Sequence, residues 1–413
     1  MNRDLADVWT DVRPGPQEPI RVLFVSHDSG MVGAQRTLLT LLSAIDRRIC
    51  SPLLVAPYEG PMSSAAAESG IPVFVEHLVH WVPGWLVSSK RQRLGHLYRF
   101  FRNLHSRCRA IEMLIAEHEI DLVYTNTVTC VEGAIAAWRT RKPHVWHIHE
   151  PILRNSELTQ LFPHRLYYAA IDFLSRSIIF PSLSLMDDYP QLSRRASVIY
   201  NGLPLPLARK RSAARAEVTN RLSVDAGAKL VAVVGALQPR KDHLTFLDAA
   251  KKVTQSIEDA VFLIIGSGFE IYTNLLQQRI RDLRLDSRAR LLGWWQGDIH
   301  DLLAAIDVLV ISSEQESFGL TAIEALAMET PVVATRCGGP EEIIEDGITG
   351  FLVPVKDSRA MADAIVKLLL EPKLASGLGI SGRKRVIERF GVDRYVQGIQ
   401  GIIQETAGFR RNR

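Results

Sequence analysis

From Ile20 onward, short stretches of apolar, β-branched residues alternate with longer amphipathic ones, and this rhythm stops once and then restarts. IRVLFVS is followed by AQRTLLTLLSAI, IPVFVE by the stretch from Leu97 to His118, and DLVYTN by VEGAIAAW, with HVWHI closing the first series. Strands that are apolar on both sides cannot face water, so they belong in parallel sheets covered by helices on each face. The break is LPLPLARKRSAARAEVTNRLSVDAG, residues 203–227, Pro-rich and then basic, with no strand pattern. KLVAVVGAL, AVFLIIG, ARLLGW, VLVISS, PVVATR and GFLVPV form the second series, each pair separated by a helical stretch. The predicted fold class is therefore α/β, with two doubly wound domains facing each other across a cleft. The boundaries fall at 20–204 and 205–384, after a loose N-terminal tail over 1–19.

A chain of 413 residues, 47% hydrophobic and 23% charged, has the balance of a folded protein with more than one core. Forty-nine Lys and Arg against 45 Asp and Glu leave +4, which excludes the charge density of a nucleic-acid binder. The four cysteines lie far apart, with no Cys/His cluster at zinc spacing, so neither a disulfide framework nor a structural metal is expected and a reducing, cytoplasmic setting is. No apolar stretch approaches the roughly 20 residues of a membrane-spanning helix, and the first nineteen residues lack the apolar centre of a secretory signal.

Ligands of open α/β sheets bind beyond the carboxyl ends of the strands. The segment SSEQESFGLTAIEALAMETPVVATRCGG, residues 312–339, puts Glu316 in a loop after the strand VLVIS and Glu324 on the helix that follows Phe318-Gly319-Leu320. Were the spacing wholly helical, the two carboxylates would stand roughly 12 Å apart, comparable to the span of a diphosphate between two sugar rings. Backbone N–H groups around Gly319 and Leu320 would offer hydroxyl or phosphate oxygens a partner. The loop Gly235-Ala236-Leu237-Gln238-Pro239-Arg240-Lys241 leaves another strand and sets two cations where a phosphate leaving group needs them.

IIGSGFE lacks the third glycine of a dinucleotide fingerprint and implies only a tight turn or a close backbone approach. His149 ends HVWHIHE at the mouth of the cleft, placed to donate to a sugar hydroxyl or a developing charge, whereas His147 reads as structural. Asp187-Asp188 reads as a solvated pair. Residues 90–109, KRQRLGHLYRFFRNLHSRCR, carry seven Lys/Arg and no acid, with Leu94, Leu97, Tyr98, Phe101, Leu104 and Cys108 at helical spacing. This fits an amphipathic helix on an anionic membrane or, equally, a helix packed on the sheet with a basic outer face.

Several of these segments together resemble the retaining, nucleotide-sugar-dependent glycosyltransferases of family 4, which share the GT-B fold of two Rossmann-like domains. The resemblance is carried by VIYNGL, VGALQPRK, LIIGSG, ESFGLTAIE with its E-x7-E spacing, EALAMETPVVATRCGG and DGITGFLV, in order over residues 197–355, and more weakly by SGMVGAQRTL and HIHE. It implies that Glu316 contacts the donor sugar, that Glu324 holds the ribose hydroxyls and that Arg240 and Lys241 stabilise the departing diphosphate. Ser317, Phe318, Gly319 and Leu320 would supply backbone amides, and Gly235 and Gly268 would line the donor site. Gly293 and Trp294 would lie beside the base and His149 over the sugar ring, with no cofactor or metal beyond the nucleotide-sugar co-substrate.

Two departures stand out: Ala236 where many members have Arg, and Val32-Gly33 where many have Gly-Gly in the acceptor-side loop. The C-terminal segment, 385–413, resembles the helix that crosses back onto the first domain. The implied partners are a nucleotide-sugar donor and a glycan or lipid-linked glycan acceptor at the inner face of the cytoplasmic membrane. A non-catalytic nucleotide-sugar-binding subunit or sensor would share the cleft but leave the donor unconsumed. A sugar-nucleotide epimerase would share the fold, but its signature is missing, and an oxidoreductase built on GSG would have to bind NAD.

Overall fold

The computed structural model describes residues 18–408 other than 85, 86, 88, 207 and 208, so the expected tail over 1–19 lies outside the described residues but for its last two. The first sheet contains β1 (Ile20–Val25), β2 (Cys50–Ala56), β3 (Val73–Val75), β4 (Leu122–Thr125), β5 (His144–His147), β6 (Ser177–Phe180) and β7 (Ala196–Val198), in the order β3-β2-β1-β4-β5-β6-β7. All pairings are parallel. The second contains β8 (Lys229–Val234), β9 (Ala260–Ile265), β10 (Ala289–Gly293), β11 (Val308–Ile311), β12 (Val332–Thr335) and β13 (Phe351–Val353), again all parallel, in the order β10-β9-β8-β11-β12-β13. Each sheet reverses its winding at one point, between β1 and β4 and between β8 and β11, and leaves a crevice there.

All six strands of the second sheet follow the apolar runs of the sequence. In the first sheet β2, β6 and β7 do not stand out in the pattern. β2 holds Pro52, which a central strand normally rejects. It is tolerated because Leu54 N–H bonds Pro72 on the β3 side, and Pro52, two residues earlier, faces the same way before β3 begins. β6 and β7 are only four and three residues long.

The segment over 203–227 also contains more than its composition announces, a helix at Arg211–Leu222. Its apolar face is narrow, Ala214, Val218 and Leu222, and Arg211 and Arg215 anchor it by pairing with Asp307 just ahead of β11. The basic stretch over 90–109 is not one helix. It breaks at Asn103 into Lys90–Arg102 and Leu104–Glu117, and Arg107 is buried against Glu132 instead of facing outward.

The domains are joined twice, at neighbouring points. Leu203 pairs in parallel with Gly391, and Leu203 N–H donates to Phe390 O at 3.2 Å. The helix Pro372–Arg389 stays with the second domain, its Val386 inside that core, so the return crossing falls at Phe390–Gly391, a few residues later than 385. The helix Val392–Gly408 then buries Tyr395, Val396, Ile399, Ile402 and Ile403 in the core of the first domain. Gly202 makes this crossing possible: a side-chain carbon there would lie 2.5 Å from Tyr395 Cβ and 2.7 Å from Gly391 O. Gly202→Ala should therefore lower stability by about 1–3 kcal/mol, the usual cost of overpacking. Calorimetry reads this as a drop in Tm, and an unchanged Tm would mean that the crossing segments are slack.

Candidate active site

β8 and β11 are neighbours, so the loops that follow them leave the second sheet side by side. They are tied together by Ser312 Oγ donating to Lys241 O and Glu314 N–H to Arg240 O, both at 2.8 Å. Gly319, at φ 106°, turns the second loop into the helix Leu320–Ala327, whose first N–H groups lack intrahelical partners. Here Lys241 Nζ donates to Glu316 Oε1, Ser313 Oγ donates to the same oxygen at 2.7 Å, and Arg240 Nη1 stands 3.8 Å from Oε2. Burial pushes the Glu316 carboxyl up, but Lys241, Arg240 and the hydrogen bonds together hold it below its ordinary range, so it is an anion. A side-chain carbon at Gly235 would lie 4.0 Å from Lys241 Nζ, so the glycine leaves the ammonium open above.

Not every expected donor residue points its side chain into this space. Phe318 is only 3% exposed, stacked on Tyr200 at 5.9 Å and edge-on to Phe390 at 5.7 Å, so only its backbone is available. At Gly268 the close approach is made by protein, since a side-chain carbon would lie 2.0 Å from Leu237 O. The glycine lets the loops after β8 and β9 lie against each other, with Leu237 N–H bonded to Ser267 O. Gly293, at φ 65°, ends β10, and Trp294 beyond it is 64% exposed. Gly33 stands opposite Leu320, where a side-chain carbon would lie 3.7 Å from Leu320 Cδ1. Asp188 is no solvated charge, because its buried carboxylate accepts from Arg154 at 3.0 Å.

The first domain contributes His149, just past the end of β5. Asn126 Nδ2 donates to Ala34 O at 3.0 Å, which turns Asn126 Oδ1 toward His149 Nε2 at 2.9 Å. Nε2 therefore carries the ring proton and Nδ1 keeps its lone pair. Burial, helped by His27, lowers the ring pKa to about 3, so His149 is neutral and its Nδ1 is an acceptor, where the sequence suggested a donor. His147 lies beneath it, ring centroids 4.0 Å apart, bonded through Nδ1 to the Tyr124 hydroxyl at 2.7 Å.

Three further charged residues of the first domain were not singled out from the sequence. Glu150 is half-buried beside Thr127 and Val128, and desolvation raises its carboxyl to about 7 although the Val128 N–H and Arg240 act against this. Glu157 accepts from Arg240 Nε at 2.9 Å, and Arg36 donates to Glu324. These last two pairs span the cleft, as do Ser182 Oγ to Ser317 O at 2.6 Å and the Leu183 and Ser184 N–H groups to Glu342. Beside the Arg36 pair opens a recess of about 270 Å³ lined by Met31, Leu39, Leu205, His300 and Glu324. The adjacency in HIHE signals Glu150, but no local spacing signals Arg36 or Glu157, whose partners are distant in sequence.

Two family models match, one on each domain: Glycosyltransferase Family 4 over residues 31–205 and Glycosyl transferases group 1 over residues 228–371. The chain belongs to the family 4 glycosyltransferases, on the GT-B fold. It is 37% identical over 153 residues to the N-acetyl-alpha-D-glucosaminyl L-malate synthase of Bacillus anthracis, covering 37% of this chain and 39% of that one. It is 24% identical over 405 residues to the alpha-1,3/1,6-mannosyltransferase ALG2 of Homo sapiens, covering 91% and 94%. Several curated relatives are matched over only two fifths to a half of their length. Among solved structures, Anabaena Alr3699/HepE in complex with UDP-glucose superposes with a TM-score of 0.77 at 24% identity, covering 94% of this chain and 100% of that one.

Two expectations follow from these charges. Glu324 is almost buried and Arg36 is its partner, so a double-mutant cycle of Arg36→Ala and Glu324→Gln should give a coupling of about 1 kcal/mol or more in urea unfolding. Additive effects would mean that the two domains do not meet there in solution. The second concerns pH. His27, His144, His149 and His243 are lowered to about 3 by burial, and His147 is also lowered by burial. Below their ordinary value near 6.5 the unfolded chain takes up protons that the folded chain refuses, so stability falls with pH. Glu150 works in the opposite sense, since its raised pKa favours the folded state as pH drops below about 7, but it is one group against six, burial lowering His80 as well. Tm should decline from pH 7 to pH 5, and a rise would show that the histidines are not held neutral.

Proposed function

We propose that the chain transfers a sugar from a nucleotide-diphosphate donor to an acceptor hydroxyl, with retention at the anomeric carbon, in polysaccharide or glycolipid synthesis. The observation that carries this reading is the convergence of Arg240 and Lys241 on one carboxylate, Glu316, at the winding reversal of the second sheet, just ahead of the helix Leu320–Ala327. Two cations facing one anion suit a leaving diphosphate, which develops charge as the glycosidic bond breaks. On donor entry Lys241 and Arg240 turn from Glu316 to the phosphates, and the freed carboxylate accepts from hydroxyls of the donor sugar. His149 Nδ1 accepts from another hydroxyl over the ring, and Glu324, whose Oε2 is not taken by Arg36, accepts from the ribose beside the 270 Å³ recess.

Because two fixed cations neutralise the diphosphate, the reaction is expected to run without a divalent metal. The relatives named as glycosyltransferases and the structures titled as complexes with UDP and with UDP-glucose support a nucleoside diphosphate sugar as donor.

The test is a thermal-shift titration with UDP, GDP, ADP, dTDP and NAD, with and without EDTA, followed by turnover assays with the sugar nucleotide of the base that binds. One nucleoside diphosphate should raise the melting temperature regardless of EDTA. Lys241→Ala and Glu316→Ala should each cut turnover by about a hundredfold or more while the fold persists. Binding without turnover would favour a sensor, a shift with NAD alone would overturn the assignment, and an inverted anomeric proton coupling in the product would refute retention.

A further inference from the structure

The helix Lys90–Arg102 has two apolar faces, and only one is used. His96 and Phe100 point inward, where Phe100 joins Trp81, Trp146 and Tyr167 in the core under this side of the first domain. Leu94, Tyr98 and Phe101, spaced i, i+4 and i+7, form a second stripe that is 56% to 68% exposed. A helix that merely covered the sheet would carry polar residues there.

The charge around the stripe has one sign. The helix contains no acid, and among the described residues none of Lys90, Arg91, Arg93, Arg99 or Arg102 pairs with a carboxylate, whereas Arg107 and Arg109 just beyond Asn103 both do. On one flank of the stripe a recess of about 460 Å³ opens between Arg91 and Arg99, floored by Gly95, which leaves open space above its backbone. Two guanidinium groups over a bare backbone, with no carboxylate in the lining, suit a phosphate.

The apolar surface continues beyond this helix. Phe101 touches Phe162, which leads into the helix His164–Leu174, and that helix packs on the same core and exposes Arg165, Leu166 and Phe173. Phe173 in turn touches Trp138, itself 54% exposed. Exposed aromatic and aliphatic side chains beside unpaired arginines are the composition of a surface that lies in the headgroup region of an anionic bilayer.

We propose that this face, the helix Lys90–Arg102 with Phe162, Leu166, Phe173 and Trp138, docks the enzyme on an anionic phospholipid membrane. A lipid phosphate would sit in the recess between Arg91 and Arg99. The segment from Glu150 to Phe162 joins the cleft to this face, so a lipid-borne acceptor anchored in that membrane would present its hydroxyl near His149. That last step rests on the transfer reading, but the docking itself does not.

The test is co-sedimentation of the full chain with vesicles of phosphatidylcholine alone and of phosphatidylcholine with phosphatidylglycerol in equal parts. The chain should pellet with the mixed vesicles and not with the neutral ones, and added salt should weaken binding. Arg91→Glu with Arg99→Glu should lower partitioning on the order of a hundredfold, given the usual worth of a basic residue near an anionic surface. Leu94→Ser, Tyr98→Ser and Phe101→Ser together should abolish the part that survives high salt. All of these side chains are exposed, so both variants should melt like the parent and still respond to the nucleotide, which separates failure of docking from failure of the transfer reading. Absence of binding to mixed vesicles, or binding that neither variant changes, overturns the proposal, as would a chain whose apolar variant only converts a dimer to a monomer.

Discussion

The charge on Glu316 is the point on which the second domain turns. A carboxylate this buried survives as an anion only because Lys241 and Arg240 face it from one loop and Ser313 bonds it from its own. The two cations come from the loop after β8, the carboxylate from the loop after β11, and the two loops are adjacent because the winding reverses between those strands. Gly319 with its positive φ brings the helix N-terminus to the same place, and Gly268 lets the loop after β9 brace the loop after β8 from the other side. Glu316 thus holds in place the two cations that the proposed diphosphate would meet.

The contacts between domains are of a different kind from those within them. Across the cleft they are Arg36 with Glu324, Arg240 with Glu157, Ser182 with Ser317 and two N–H groups with Glu342. Such contacts are exchanged for water at small net cost, so the two bodies can part and meet again without opening a core. At the crossing the connection is apolar, with Tyr200 packed on Phe318 and Phe390. Phe318 therefore belongs at once to the crossing and to the loop that carries Glu316, which ties the angle between the domains to the geometry of that loop.

The architecture was legible because parallel strands buried on both faces must be largely apolar, and β8 to β13 follow this, with Lys229 at the start of β8 and Arg290 on the edge strand β10 as the charged residues among them. β2 escaped because Pro52 contradicts a central strand until the short length of β3 is known, and the helix Arg211–Leu222 escaped because salt bridges to Asp307 do part of the work of an apolar face. In the site, residues at strand ends or beside a glycine were visible from pattern and resemblance. Arg36, Glu157 and Asn126 were not, since each acts on a partner brought near only by folding. The protonated nitrogen of His149 is likewise a property of the Asn126 amide, whose direction no local sequence encodes.

The paired crossings at Leu203 and Gly391 also order events in time. The first domain is discontinuous, because its core is closed by the helix Val392–Gly408, and Leu38, Leu41 and Leu42 lie in that same core. On the ribosome, the first domain emerges early yet lacks a wall until the whole second domain has been synthesised. The second domain, contiguous from Arg211 to Arg389, can complete itself while the earlier one waits. The chain that is made first is thus finished last, and during that interval its open core is the surface most in need of protection from other nascent chains.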